Sequence, residues 1–135
     1  MTRKTIRQAL VTLFDADSTF NQVLGYLPLD LNGATKVLCV YSIGTANEFL
    51  SGHLNNDFYT FRLDGFIRRT GAEADENDMD DMSEAARTVI RANISNANWN
   101  ELDLSQESTY LQTEISGVPY IVERHLLKVK LARSS

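Results

Sequence analysis

Apolar residues at Ile6, Leu10, Leu13 and Phe14 recur at i, i+4, i+7 and i+8, the stripe of an amphipathic helix. They predict a helix from Thr2 to about Phe14, with Arg3, Lys4, Arg7 and Gln8 on its other side. Asp17 or Ser18 then caps a short second helical turn carrying Phe20, Val23 and Leu24. Gly25, Pro28, Asn32 and Gly33 break the pattern into a connection. Val37 to Ile43 is nearly continuous in apolar, β-branched and aromatic residues, which predicts a strand buried on both faces. Gly44 to Asn56 reads as a long connection; within it Thr45-Ala46-Asn47-Glu48 has the capping-box form and predicts one helical turn, pinned by Phe49 and Leu50.

From Phe58 to Arg69 the period changes to two. Tyr59, Phe61, Leu63 and Ile67 point one way; Phe58, Thr60, Arg62, Asp64, Phe66 and Arg68 point the other, so one face is wet or meets a partner. Gly71 to Asn77 reads as an acidic loop. A second helix is predicted from about Asp80 to Asn93, with Met82, Ala85, Ala86, Val89 and Ile90 as its apolar stripe. Asn96 to Asp103 is a connection holding Trp99, read either as a core plug at the base of this helix or as an interface anchor. Thr109 to Ile115, the turn Ser116-Gly117 and the strongly alternating Tyr120 to Leu131 make a closing hairpin. On that last strand Ile121, Glu123, His125, Leu127, Val129 and Leu131 share one face.

The order helix, strand, strand, helix, strand, strand predicts an α+β two-layer fold. Its sheet is mainly antiparallel, of about four strands, with the two main helices on one face. At 135 residues the chain is expected to form one domain, residues 1–135, large enough to fold without a disulfide or metal. The single Cys39 excludes an intramolecular disulfide. Arg3, Lys4 and Arg7 begin the chain as an export signal would, but Asp15 and Asp17 cut the apolar part short.

Charge changes the picture. The net charge is −5, yet seven of the eighteen acids (Glu73, Asp75, Glu76, Asp78, Asp80, Asp81 and Glu84) sit in one stretch; without them eleven acids face thirteen bases. Overall acidity argues against a dedicated nucleic-acid binder, and segregated charge suits head-to-tail association. Catalytic signals are weak. Cys39 lies in an apolar strand, no phosphate-binding glycine loop is present, and Asp75 to Asp81 fails the EF-hand template, with Met79 in a ligand position. His53 and His125 are the two histidines; with the acidic cluster they form the weakest reading, a metal-dependent enzyme.

The succession is similar to that of the tail terminator, or tail-completion, proteins of long-tailed bacteriophages. The residues that carry this resemblance are Ile6-Arg7-Gln8-Ala9-Leu10, the strands Val37 to Ile43 and Phe58 to Arg69, Ala85 to Ile90 followed by Trp99-x-x-Leu102, and Gly117 to Arg124 leading to Lys128-Val129-Lys130-Leu131. It covers nearly the whole chain and rests on order and pattern, with no catalytic residues to transfer. The resemblance implies a virion structural protein, typically hexameric, forming a ring on the head-proximal end of the tail tube that ends tube growth and joins the head connector. It implies no enzymatic activity, cofactor or membrane. The partners would be further copies, the tail tube protein and a head-completion or connector protein, with DNA met only in passage through the channel.

Such a ring needs a heterologous interface. The candidates are the acidic segment with Glu73, Asp75, Asp78 and Asp81, facing a basic patch from Arg68 and Arg69 or from Lys128 and Lys130. Phe58 and Phe66 on the wet strand face are candidate apolar anchors, with Arg62 beside them. Two alternatives stay open on the residues alone: a small dimeric regulatory or ligand-binding module, and another neck or tail-tube protein of the same architecture.

Overall fold

In a computed structural model, residues 2–51 and 54–134 are described, with the side chains of 49–51, 54, 133 and 134 left aside. His53 lies outside the described residues, as do the side chains of Phe49 and Leu50. The fold is α+β, two helices against a curled, mixed sheet.

Helix α1 (Arg3–Asp15) starts where its pattern predicts. Thr2 is its N-cap, and a capping box with Thr5 satisfies two free N–H groups. Ile6, Leu10 and Phe14 are buried along one stripe. No second helical turn carries Phe20 to Leu24. The Asp17 carboxylate accepts from the Thr19 N–H in a tight turn, and Gln22–Leu24 becomes strand β1, parallel to the start of β2 (Val37–Ser51). Sheet pairing there takes the backbone groups that a helix would have used, and Val23 still reaches the core.

The long connection and its helical turn are also replaced. β2 continues through residues 44–51 and turns back into β3 (Leu54–Arg68), with Thr45 opposite Tyr59 and Asn47 opposite Asp57. A bulge after Ser42 marks where the hairpin leaves the core. Beyond it Thr45, Ala46, Asn47 and Glu48 are all exposed, so no apolar alternation advertises the strand. Register with β3, itself paired along its whole length to β6 (Val118–Ser134), overrides the local capping signal.

Helix α2 (Glu73–Ala92) begins seven residues before its predicted start and takes in most of the supposed acidic loop. Asp75 at its third position is buried and turned back on the preceding segment. It accepts from the Thr70 hydroxyl at 2.6 Å, the Thr70 N–H at 2.9 Å and the Gly71 N–H at 3.0 Å. Hydrogen bonds from Thr70 above all hold its carboxyl below the usual range. Glu73, Asp75 and Glu76 also sit where the helix dipole favours negative charge. The buried stripe is Asp75, Met79, Met82, Ala86 and Ile90, so Met79 is a core residue. Trp99 proves to be a core plug, 2% exposed, its Nε1 donating to the Asn93 carbonyl that ends α2.

The sheet has six strands rather than four, in the order β1-β2-β3-β6-β4, with β5 also on β6. β4 (Glu101–Leu104) lies in the segment read as a connection and pairs with residues 127–130 of β6; β5 (Thr109–Ile115) pairs with residues 118–124. Ser116 and Gly117, both at positive φ, make the two-residue hairpin turn that the sequence predicts. Both helices pack on one face, over Leu38, Val40, Phe61, Leu63, Leu127 and Val129.

The opposite face is not simply wet. Leu31 and Ala34 from the segment before β2 close over Val37, Cys39, Phe66, Tyr120 and Val122 as a second core. The Tyr120 hydroxyl donates to the Ala34 carbonyl at 2.9 Å, and its ring meets Phe66 edge-on at 6.2 Å.

Candidate functional site

The predicted interface residues separate into buried and exposed groups. Phe66 is 3% exposed in the second core, and Asp75 is buried beneath the start of α2, so neither reaches the surface. Glu73 and Asp81 stand exposed on the outer side of α2, with Glu76, Asp80 and Glu84. Asp78 is half-buried and pairs with Lys36 at 3.6 Å. The acidic run thus becomes a helix face, because a helix spreads neighbouring carboxylates around its axis and turns Met79 and Met82 inward.

Two of the basic candidates are hydrogen-bonded within the chain. Arg68 donates to the Gly33 carbonyl at 3.3 Å, and Arg69 to Gln112 Oε1 at 3.0 Å. Lys128 and Lys130 stand across the strand pair from Asp103 and Glu101, which puts acidic and basic residues on one sheet face. Lys128 also lies 6.0 Å from the centre of the half-buried Phe58 ring. Arg62 is half-buried, opposite Tyr41 and Leu126. This end of the sheet therefore carries an alternating set of charges around one aromatic ring, not a patch of one sign.

Two polar clusters were invisible in the sequence. On the second-core face Asp64, fully buried, accepts from Arg124 Nε and Nη2 at 3.0 and 3.1 Å and from the Tyr41 hydroxyl at 2.7 Å. Burial and the Asp64 hydrogen bond push the Tyr41 phenol up, and burial with the Asp64 charge pushes the Cys39 thiol up to about 12. On the helix face Glu123 and His125 are 3% and 5% exposed, with Nε2 of the imidazole 3.6 Å from the carboxylate. Burial raises the Glu123 pKa, but its polar partners His125, Ser108 and Tyr110 outweigh that and bring it to about 2. The cavity beside the pair, lined by Met79, Met82 and Ala86, has room for little more than one water. Period-two spacing puts Glu123 and His125 on one shared face, and the i, i+2 relation is the signal available for their contact; which face is buried is set by the sheet.

A further surface lies in the segment before β2. Tyr26, Leu27 and Leu29 are 59%, 50% and 96% exposed, and Leu27 and Leu29 rim an open cleft of about 320 Å³ floored by Phe66 and Val122. Pro28 and the glycines marked this stretch as a connection, which hid its apolar side chains from a periodicity argument.

Among the described residues no group of three or more His, Cys, Asp or Glu side chains is placed to hold a metal ion. No helix there is long and apolar enough to cross a membrane. No protein-family model matches the chain, and no curated protein is similar to it.

Proposed function

We propose that the protein is a structural subunit of a phage virion: a ring, most simply a hexamer, that caps the head-proximal end of the tail tube, ends tube polymerisation and joins the tail to the head connector. The observation that carries this reading is the acidic outer face of the first half of α2, where Glu73, Glu76, Asp80 and Asp81 stand exposed and make no ion pair among the described residues. Unmatched charge of this kind suits contact with a different surface on a neighbouring copy, which closes into rings. The exposed Leu27 and Leu29 beside an open cleft supply an apolar surface for a second partner, the tube or the connector. The order of elements resembling tail terminators supports the same conclusion, and assembly would take place in the host cell on the way to the virion.

Native mass spectrometry and negative-stain imaging test it, on the protein alone and mixed with tail tubes, with and without millimolar magnesium to screen the carboxylates. Closed rings, or caps on tube ends that stop further growth, are the expected result. A strict dimer at every concentration, with tube growth unaffected, would overturn the reading in favour of a dimeric binding module. One observation favours that second reading: the outer edge of β2 is paired only at residues 37–39, by β1, which leaves a long edge open for strand pairing.

A further inference from the structure

The two helices treat their dipoles oppositely. α2 opens with Glu73, Asp75 and Glu76 and carries Arg91 in its last turn. α1 has no acid in its first turn and instead begins Arg3-Lys4, with Arg7 one turn on, against the sign its positive end favours. A helix that carries charge against its own dipole has a use for that charge elsewhere.

The sheet register shows where it points. Arg3 Nη1 reaches Thr45 Oγ1 at 3.4 Å; Thr45 is opposite Tyr59, and Tyr59 opposite Val129. α2 ends on the same row, since Trp99 holds the Asn93 carbonyl and the Asn100 N–H donates to the Lys130 carbonyl. The helices therefore run antiparallel, and the start of α1 shares an end of the layer with the finish of α2. That end collects Arg3 and Lys4 with Arg91, which is paired to Glu84 at 3.6 Å; Arg87 follows one turn back on α2, and Arg7 lies half-buried beside Gly25 on the β1 side of α1. At the other end, Asn21 after α1 bonds Lys36, α2 starts just beyond Arg68, and Asp17, Asp81 and Glu84 line one open cleft around Lys36. Among the described residues Arg3, Lys4, Arg7 and Arg87 make no ion pair, and neither do Glu73, Glu76, Asp80 and Asp81. The two sets touch where Glu84 pairs with Arg91 at 3.6 Å, whereas Glu73 and Glu76 begin α2 at the end of the layer opposite the start of α1.

We infer that copies of this chain associate head to tail through the helix layer, the cationic end of one copy receiving the acidic first half of α2 in the next. The occupant is a second copy, selected by charge, and the basic surface is the start of α1 and the finish of α2. Arg68 and Arg69 do not form it, because they are hydrogen-bonded within their own chain, and Lys128 and Lys130 stand among acidic residues across the strand pair. The inference rests on the ring reading and adds which surfaces meet.

A charge swap tests it. One full-length variant carries Arg3→Glu, Lys4→Glu and Arg7→Glu, and so has two acidic ends; the other carries Glu76→Lys, Asp80→Lys and Asp81→Lys, and has two basic ends. Circular dichroism checks folding, and native mass spectrometry reads assembly. Each variant alone should associate at least about tenfold more weakly than the parent, while an equimolar mixture assembles with the two alternating. Variants that assemble alone as the parent does, or folded variants that stay apart when mixed, would overturn the inference and leave the ring intact. The parent in 500 mM against 50 mM salt gives the answer without any variant: association should fall at least about tenfold, and insensitivity to salt overturns the inference. A parent that forms only dimers, or only monomers even with tubes present, defeats the ring reading and this inference together.

Discussion

Removing Arg124 should cost more than neutralising Asp64, although the two belong to one ion pair. The Asp64 side chain is 0% exposed, whereas that of Arg124 is 32% exposed. Arg124→Met leaves a buried carboxylate with one remaining partner, the Tyr41 hydroxyl. Breaking a buried pair from that side costs about 4 kcal/mol. Asp64→Asn keeps the shape and leaves the guanidinium able to rehydrate, at about 2 kcal/mol. For a chain of this length, unfolding entropy of about 2.1 cal/mol/K per residue makes each kcal/mol about 3.5 °C, so the melting temperature should fall by about 14 °C and about 7 °C. Replacing both, Asp64→Leu with Arg124→Met, should recover at least half of the larger loss, because an apolar pair carries no desolvation cost. Thermal melts followed by circular dichroism at pH 7 measure all three. Equal losses, or a larger loss for Asp64→Asn, would refute the argument that differential access to water sets the cost.

Glu123 ties stability to acid pH. Its pKa is depressed from 4.5 to about 2 in the folded chain, so its contribution is present above pH 4.5 and disappears as pH falls toward 2; the shift corresponds to about 3 kcal/mol. Glu123→Gln should be less stable at pH 7 and should flatten the acid limb of a stability–pH curve; an unchanged limb would assign the acid sensitivity elsewhere. Cys39 is fully buried, with its thiol pushed up to about 12, so a thiol reagent at pH 8 should label the folded protein no faster than it unfolds and label it fully in denaturant. Rapid labelling of native protein would place Cys39 at a surface instead.

The inward stripe of α1, the alternation of Phe58 to Ile67 and the Ser116-Gly117 hairpin were all legible in the sequence. Each rests on relations among near neighbours: the helical and strand periods, and a turn whose conformation suits glycine. The same alternation put Glu123 and His125 on one face of the last strand but did not say that the face is buried. The acidic run misled, because crowded carboxylates resemble a loop until a helix distributes them, and the burial of Asp75 depends on its hydrogen bonds to Thr70 and Gly71 in the segment before the helix.

What the sequence determined by itself was the class of the fold, the buried stripes of the two helices and the uneven distribution of charge along the chain. Tertiary structure alone decided the exposed hairpin of β2 and β3, the short strands β1 and β4, the cover over the second face and the pairing of Asp64 with Arg124. It also decided that the cationic start of α1 lies at the finish of α2. Strands without a buried face carry no hydrophobic period, and contacts such as that between residues 64 and 124 depend on register, a property of whole sheets that no local window contains.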